Sequence, residues 1–263
     1  MTGTSDMPGS SIVVAIDGPS GAGKGTIARH IARRLGFHFL DSGAVYRAAA
    51  LGCVNQNIDL SDDRAATLAV RNMVIGFSTD QAGSSDLPEL RVTLADRDVT
   101  AELRSETAAD AASRIAVLPG VRDTLLTVQR DFLQSPGLVA DGRDMGTVVF
   151  PDAQVKVFMT ANPRIRAERR LQQLKQHGIE ATLGGLMQEI EQRDLRDSTR
   201  RHAPLLAAND AMVIDTSDLD IEAAVERVLA HTSEMLGDEV PGFSTEESGK
   251  YRPKPDHCGE TAE

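Results

Sequence analysis

Tryptophan is absent from the chain, and aromatic residues make up 3% of it. That is too few for the stacked-base platforms on which single-stranded nucleic acids are held. Positive charge is also short: 28 Lys and Arg face 39 Asp and Glu, a net charge of −11. A general nucleic-acid-binding surface needs the opposite balance, so no nucleic-acid partner is expected. Cys53 and Cys258 are the only 2 cysteines, which excludes a disulfide framework or a multi-cysteine metal site and fits a reducing, cytoplasmic compartment. His257 beside Cys258 does not change this, since two ligands alone make no metal site. No apolar run reaches the roughly 18 residues of a membrane span, so no membrane partner is expected. Met1 to Ser10 is polar, without the basic and apolar segments of a secretory leader.

What remains is 263 residues with 41% hydrophobic content, enough for one substantial α/β core carrying insertions. Residues 1–11 read as a disordered N-terminus. The stretch 237–263 is rich in acids, Gly and Pro and lacks apolar periodicity, so it reads as an acidic disordered tail. The folded part is therefore placed at 12–236. No apolar stripe in it is left unassigned, so a monomer is expected.

The most informative stretch follows the apolar run Ile12-Val13-Val14-Ala15-Ile16. It reads Gly18-Pro19-Ser20-Gly21-Ala22-Gly23-Lys24-Gly25-Thr26 and leads into a helical pattern from Ile27 to Leu35. Small residues let successive backbone N–H groups converge on one anion, and the following helix adds free amides and a partial positive charge. Lys24 supplies a full charge for the β- and γ-phosphates of a nucleotide. A buried strand before the glycines and a helix after them make this a phosphate-binding loop rather than a plain turn. The general pattern has Ser or Thr directly after the lysine as a Mg²⁺ ligand. Here Gly25 takes that place and Thr26 follows. The Gly-Lys-Gly-Thr form resembles the nucleoside monophosphate kinase group, and it leaves Mg²⁺ to phosphates and water.

Along the chain, Phe37–Leu40 reads as a second strand, and Asp41-Ser42-Gly43 caps a helix to about Val54. Ser61 caps another helix through Met73, and Met73–Phe77 reads as a strand. Residues 79–88 read as loop, and Leu90–Leu94 and Asp98–Thr100 as a hairpin around Ala95-Asp96-Arg97. Helices are expected at Glu102–Val117 and Gly120–Gln134, strands at Leu138–Ala140, Val155–Met159 and Ala211–Ile214. Further helices are expected at about 163–176, 182–200 and 220–236. Alternating strands and helices predict an α/β fold, a parallel sheet with helices on both faces. Ligands then sit at the carboxyl ends of the strands, where the phosphate loop, Asp41 and Asp141 all fall.

Three constellations carry chemistry. Asp141-Gly142-Arg143-Asp144 follows a buried strand. Asp141 there suits Mg²⁺ or a metal-bound water, with turn capping as the other reading. Arg143 offers a planar fork for phosphate. In Asp41-Ser42-Gly43-Ala44-Val45-Tyr46-Arg47, Ser42 opens a helix and Arg47 faces partly back toward that end. In the stretch from Gln192 to Arg201, Arg193, Arg196 and Arg200 recur at helical spacing with Asp194 and Asp197 interleaved. This reads either as a solvated helix with Arg193–Asp197 and Arg196–Asp197 pairs, or as an arginine lid that neutralises a transferred group and excludes water.

Taken together and in this order, these motifs resemble the bacterial cytidylate kinase family, the CMP/dCMP branch of the nucleoside monophosphate kinases. The resemblance spans about Ile12 to Leu236 and includes Ala-Asp-Gly-Arg-Asp-Met-Gly-Thr-Val-Val-Phe-Pro-Asp-Ala and Arg-Asp-Leu-Arg-Asp-Ser-Thr-Arg. It implies a P-loop NTPase fold with an NMP-binding insertion at about 61–117, holding a small antiparallel sheet, and a helical lid at about 166–200. It implies that Gly18 to Thr26 bind ATP with Mg²⁺ as cofactor, and that Lys24, Arg143, Arg193, Arg196 and Arg200 are catalytic. Ser42, Arg47, Arg143 and Arg200 would hold the CMP phosphate, and Asp197 the pentose. Ser113, Arg122 and Asp144 match cytosine-contacting positions; a carboxylate accepting from the 4-amino group and an arginine donating to O2 or N3 suit that base. The hairpin departs from the family at Ala95-Asp96-Arg97, where an Asn-Gly type turn belongs. The implied reaction is direct transfer of the γ-phosphoryl of ATP to CMP or dCMP. A shikimate- or uridylate-type kinase shares the loop without needing the cytosine set, and a nucleotide-gated regulator would bind ATP without turnover.

Overall fold

The computed structural model describes residues 11–80, 89–176, 178, 180–200 and 202–237. Residues 1–10 of the expected disordered N-terminus and 238–263 of the acidic tail fall outside these, as do residues 81–88 of the expected loop.

The central sheet is parallel throughout, with strands in the order β2 (His38–Asp41), β6 (Gly137–Gly142), β1 (Ile12–Asp17), β7 (Val155–Thr160), β8 (Met212–Asp215). Strand side chains alternate between faces, and in β1 both faces are buried. Val13 and Ala15 enter one core with Leu138 and Ala140; Val14 and Ile16 enter the other with Val139, Val155 and Val157. Helices α1 (Lys24–Leu35) and α8 (Ile221–Leu236) cover the second face through Ile27, Ile31, Val225 and Leu229. The first face carries α2 (Ser42–Asn55), α3 (Asp63–Arg71), α4 (Glu106–Ile115) and α5 (Pro119–Arg130). Two further helices, α6 (Pro163–Gln176) and α7 (Leu183–Ser198), pack on each other through Ala167, Leu174, Leu186 and Ile190.

A separate antiparallel sheet has the order β3 (Ile75–Asp80), β4 (Glu89–Leu94), β5 (Arg97–Asp98). Its hairpin turns on Ala95 and Asp96, at φ 48° and 64°. Both lie in the left-handed region that a two-residue mirror-type turn requires. The turn geometry is thus the one an Asn-Gly pair favours, held here by residues less suited to it.

Local expectations needed several corrections. Asp62, not Ser61, caps α3, accepting from the Ala65 amide, while the Ser61 hydroxyl donates to Asp59. The third strand is 75–80 rather than 73–77, because pairing with β4 carries it on to Asp80. The last strand of the hairpin is 97–98; beyond it the Val99 amide still donates to the Val92 carbonyl at 2.9 Å, and its side chain packs with Val92 and Leu103. The helix expected over 102–117 is broken at Ser105. A tight turn spans 102–104, and the Ser105 hydroxyl then accepts from the Ala108 amide to start α4. After β6 comes a wide turn over 145–149, closed by the Phe150 amide donating to the Met145 carbonyl at 2.7 Å. No sequence expectation covered it.

Candidate active site

Asp17 ends β1, and the phosphate loop runs from Gly18 to Gly23. Gly18 is irreplaceable in this path: a Cβ there would lie 1.9 Å from the Met159 carbonyl oxygen. Gly23 precedes α1 at φ 89° and offers no side-chain cap, so the first amides of α1 remain available to an anion. Lys24 lies at the first turn and is buried. Its Nζ donates to the Pro19 carbonyl at 3.0 Å and stands 3.7 Å from Asp141 Oδ1. Burial, helped by the nearby Arg143 charge, lowers the lysine pKa to about 8 against the pull of Asp141 and Asp17. Burial likewise raises the Asp141 pKa, although Lys24 opposes it.

β6 delivers Asp141, Arg143 and Asp144 to the crevice beside this loop. Asp17 reaches across and accepts from the amides of Met145 and Gly146, each at 2.8 Å. Burial pushes its carboxyl up to about 6 despite those two hydrogen bonds. Sequence reasoning missed Asp17, although an acid closing an apolar strand just before the glycines was a usable signal.

The end of β2 supplies Asp41, which caps α2 by accepting from Ala44 and pairs with Arg47 at 3.1 Å. The Ser42 hydroxyl donates to Gln129 Oε1 of α5 at 2.7 Å, a partner nothing in the sequence indicated. Arg122 pairs with Asp144 between nearly buried side chains. Arg122 lines a cavity of about 390 Å³ together with Tyr46, Gln129, Val149 and His202. Burial pushes the Tyr46 hydroxyl up to about 12, so it stays protonated.

Asp197 is 1% exposed and is the hub of the cationic group. It accepts from Arg143 Nε at 2.9 Å and from Arg200 Nη2. Those charges hold its pKa below the usual carboxylate range although burial opposes them. Arg193 stands beside them with its Nε buried, and burial followed by the Arg143 charge lowers its pKa to about 10. Among the described residues, Arg47 Nε, Arg193 Nε, Arg200 Nε and Ser113 Oγ are buried without a hydrogen-bond partner. Unpaired buried donors are costly. Gathering several beside one crevice, most of them cationic, fits an anionic ligand.

The structure therefore brings together the phosphate loop with Lys24, Asp141, Arg143 and Asp144, and from other elements Ser42, Arg47, Arg122, Arg193, Asp197 and Arg200, while Ser113 is buried on α4 with its Oγ unpartnered. Arg196 does not join them. Its guanidinium pairs with Asp110 of α4, and 40% of its side chain is exposed. On α7, at about 100° per residue, position 196 points about 60° away from 193, whereas Arg200 lies past the helix end at Ser198 and turns back to Asp197. Of the two neighbour pairs in the solvated-helix reading, Arg193 still acts on Asp197 through its charge, while Arg196 pairs with Asp110 instead. Asp197 turns to Arg143 and Arg200, and Asp194 to Arg166.

A Mg²⁺ ion fits this site only in part through protein groups. No cluster of three or more His, Cys, Asp or Glu side chains occurs among the described residues. A Cβ on Gly25 would lie 3.1 Å from Asp141 Oδ2, so the glycine leaves that carboxylate face uncovered beside the loop. One oxygen donor set at a strand end, with phosphates and water completing the shell, matches how Mg²⁺ is usually held.

Residues 14–234 match the cytidylate kinase family. The chain is 49% identical over 219 residues to a cytidylate kinase of Azotobacter vinelandii, covering 83% of this chain and 94% of that one. It is 45% identical over 232 residues to a cytidylate kinase of Aeromonas salmonicida, covering 88% and 98%. Among solved structures, a shikimate kinase of Bacteroides thetaiotaomicron is similar at a TM-score of 0.41 and 14% identity, covering 86% of this chain and 98% of that one. That likeness is too distant to argue from. The match across both chains, at an identity near one half and over the whole crevice just described, places this chain in the cytidylate kinase family.

Proposed function

We propose that this protein transfers the γ-phosphoryl group of ATP to CMP or dCMP, giving CDP or dCDP and ADP, and so serves pyrimidine nucleotide metabolism. The observation that carries the reading is the crevice itself. A phosphate loop with Lys24 and Asp141 faces a cluster of Arg143, Arg193 and Arg200 around the buried Asp197.

Phosphoryl transfer needs little covalent work from the protein; alignment and charge neutralisation dominate. The amides of Gly18 to Thr26 and the Lys24 ammonium hold the triphosphate of ATP. Ser42, Arg47, Arg143 and Arg200 hold the acceptor phosphate in line. Arg193, with its unpartnered Nε, meets the charge that develops on the transferred group. Asp197 orients Arg143 and Arg200 and accepts from the pentose. Ser113, Arg122 and Asp144 read cytosine: the free oxygen of Asp144 accepts from the 4-amino group, and the remaining N–H groups of Arg122 donate to O2 or N3. Asp141 would hold Mg²⁺ through water, and the ion would offset the charge on the triphosphate of ATP. No phosphoenzyme forms.

The test is ADP formation from ATP and Mg²⁺ with CMP, dCMP, UMP, AMP and shikimate in parallel. Turnover confined to CMP and dCMP is expected. Turnover with another acceptor overturns the base-reading set, and ATP binding without any turnover overturns the kinase reading.

A further inference from the structure

Arg166 of α6 is 2% exposed, yet it belongs to no part of the substrate set. Every donor edge of its guanidinium is engaged. Nε donates to the Ala161 carbonyl at 3.0 Å, at the end of β7. Nη1 donates to the Ser20 carbonyl at 3.0 Å, inside the phosphate loop, and to Asp194 Oδ1 at 3.1 Å. Nη2 donates to Asp194 Oδ2, completing a two-pronged pair. The next loop residue presses on the same side chain, since a Cβ on Gly21 would lie 3.0 Å from Arg166 Cβ. One guanidinium thus joins the main sheet, the phosphate loop and α7.

Asp194 directly precedes no other charged partner in this web; it neighbours Arg193, whose side chain enters the cationic cluster. Apolar packing of α6 on α7 through Ala167, Leu174, Leu186 and Ile190 tolerates small rotations of one helix on the other. A planar fork on a carboxylate does not, because its two parallel hydrogen bonds fix direction as well as distance. Stability is a poor reason for such a pair, as buried ion pairs can often be exchanged for apolar residues without loss. Position is the better reason: Lys24 opens α1 directly after the loop that Arg166 braces, and Arg193 lies on the helix that Asp194 anchors.

Resting on the kinase reading above, we infer that Arg166 and Asp194 form a positioning couple that sets Arg193 against Lys24 across the triphosphate. The couple touches no substrate; it acts through Arg193.

The test uses the full chain with Asp194→Asn and Arg166→Lys, each made in the wild type and in an Arg193→Ala background. The readouts are kcat, KM for ATP and CMP, calorimetric ATP affinity and Tm. Asp194→Asn is expected to lower kcat about tenfold or more, the cost of a slightly misplaced group, with KM for CMP within about twofold. In the Arg193→Ala background the same change should cost less than about twofold, the non-additivity expected of residues acting as one. Equal losses in both backgrounds, or a lowered Tm with kcat unchanged, overturn the inference. Should Arg166→Lys fail to fold, Asp194→Asn carries the test alone, since it keeps the side-chain shape. If the wild type turns over no CMP, the kinase reading fails by itself. The cycle read in ATP affinity then decides the couple, with additive losses counting against it.

Discussion

Lys24 should make ATP capture steeply pH-dependent in a range where ordinary lysines are still fully charged. Its pKa stands at about 8, against 10.5 for an unperturbed lysine, because burial and the Arg143 charge outweigh Asp141 and Asp17. That gap corresponds to about 3 kcal/mol of penalty on the buried ammonium, at roughly 1.4 kcal/mol per pH unit. Two consequences follow with opposite signs. The folded protein binds this proton more weakly than the unfolded chain. The penalty is therefore fully present below pH 8, and stability from this group rises as pH goes from about 8 toward 10.5. A bound triphosphate restores the proton, so ATP affinity should fall about tenfold per pH unit above about 8. The assay is calorimetric titration of ATP from pH 7 to 10 with the wild type and Lys24→Gln, alongside urea unfolding over the same range. The wild type should show the affinity slope and the variant should bind weakly without it. An affinity flat to pH 10 in the wild type, or the same slope in the variant, would refute the reasoning.

Ser113→Ala should separate stability from recognition. Removing a buried hydroxyl that has no partner should stabilise the free protein by about 1 kcal/mol, while KM for CMP rises about tenfold and KM for ATP stays put; a Tm that falls instead counts against the assignment. Asp17 holds its proton more tightly in the folded state, up to about 6, so its contribution is complete below the unfolded value near 3.8 and lost above about 6. Stability should therefore gain about 3 kcal/mol from this group as pH falls through that window, and urea melts of Asp17→Asn should lack that component. At the hairpin, Ala95→Asn with Asp96→Gly suits the left-handed turn and should stabilise by about 1 kcal/mol with kcat unchanged. A destabilised double variant would show that the turn relaxes elsewhere.

Much of this site was legible before any fold was known, because its chemistry is local. The phosphate loop needs only a strand, glycines, a lysine and a helix start, and all lie between Ile12 and Leu35. Asp41 and Asp141 were readable as strand-end acids, and their elements lie close to where the apolar runs put them. Arg193 was readable on a helix by spacing, but Arg200 lies past that helix's end at Ser198 and joins the cluster through Asp197. Helix starts were read less well: Asp62 rather than the adjacent Ser61 caps α3, and a tight turn over 102–104 delays α4 until the Ser105 cap.

Partners distant in the chain were a different matter. Asp17 grips amides 128 and 129 residues away, Ser42 meets Gln129, and Arg166 holds Ser20. Arg196, alike in sequence to Arg193 and Arg200, turned to Asp110 because α4 lies on that side of α7. The chain by itself determined the element types, the phosphate loop and the acids at strand ends, since local propensity and spacing decide those. The tertiary structure alone decided which arginine meets which carboxylate and which donors stay unpaired. Those depend on the strand order β2-β6-β1-β7-β8 and on the burial it creates, and neither has a local signature in the sequence.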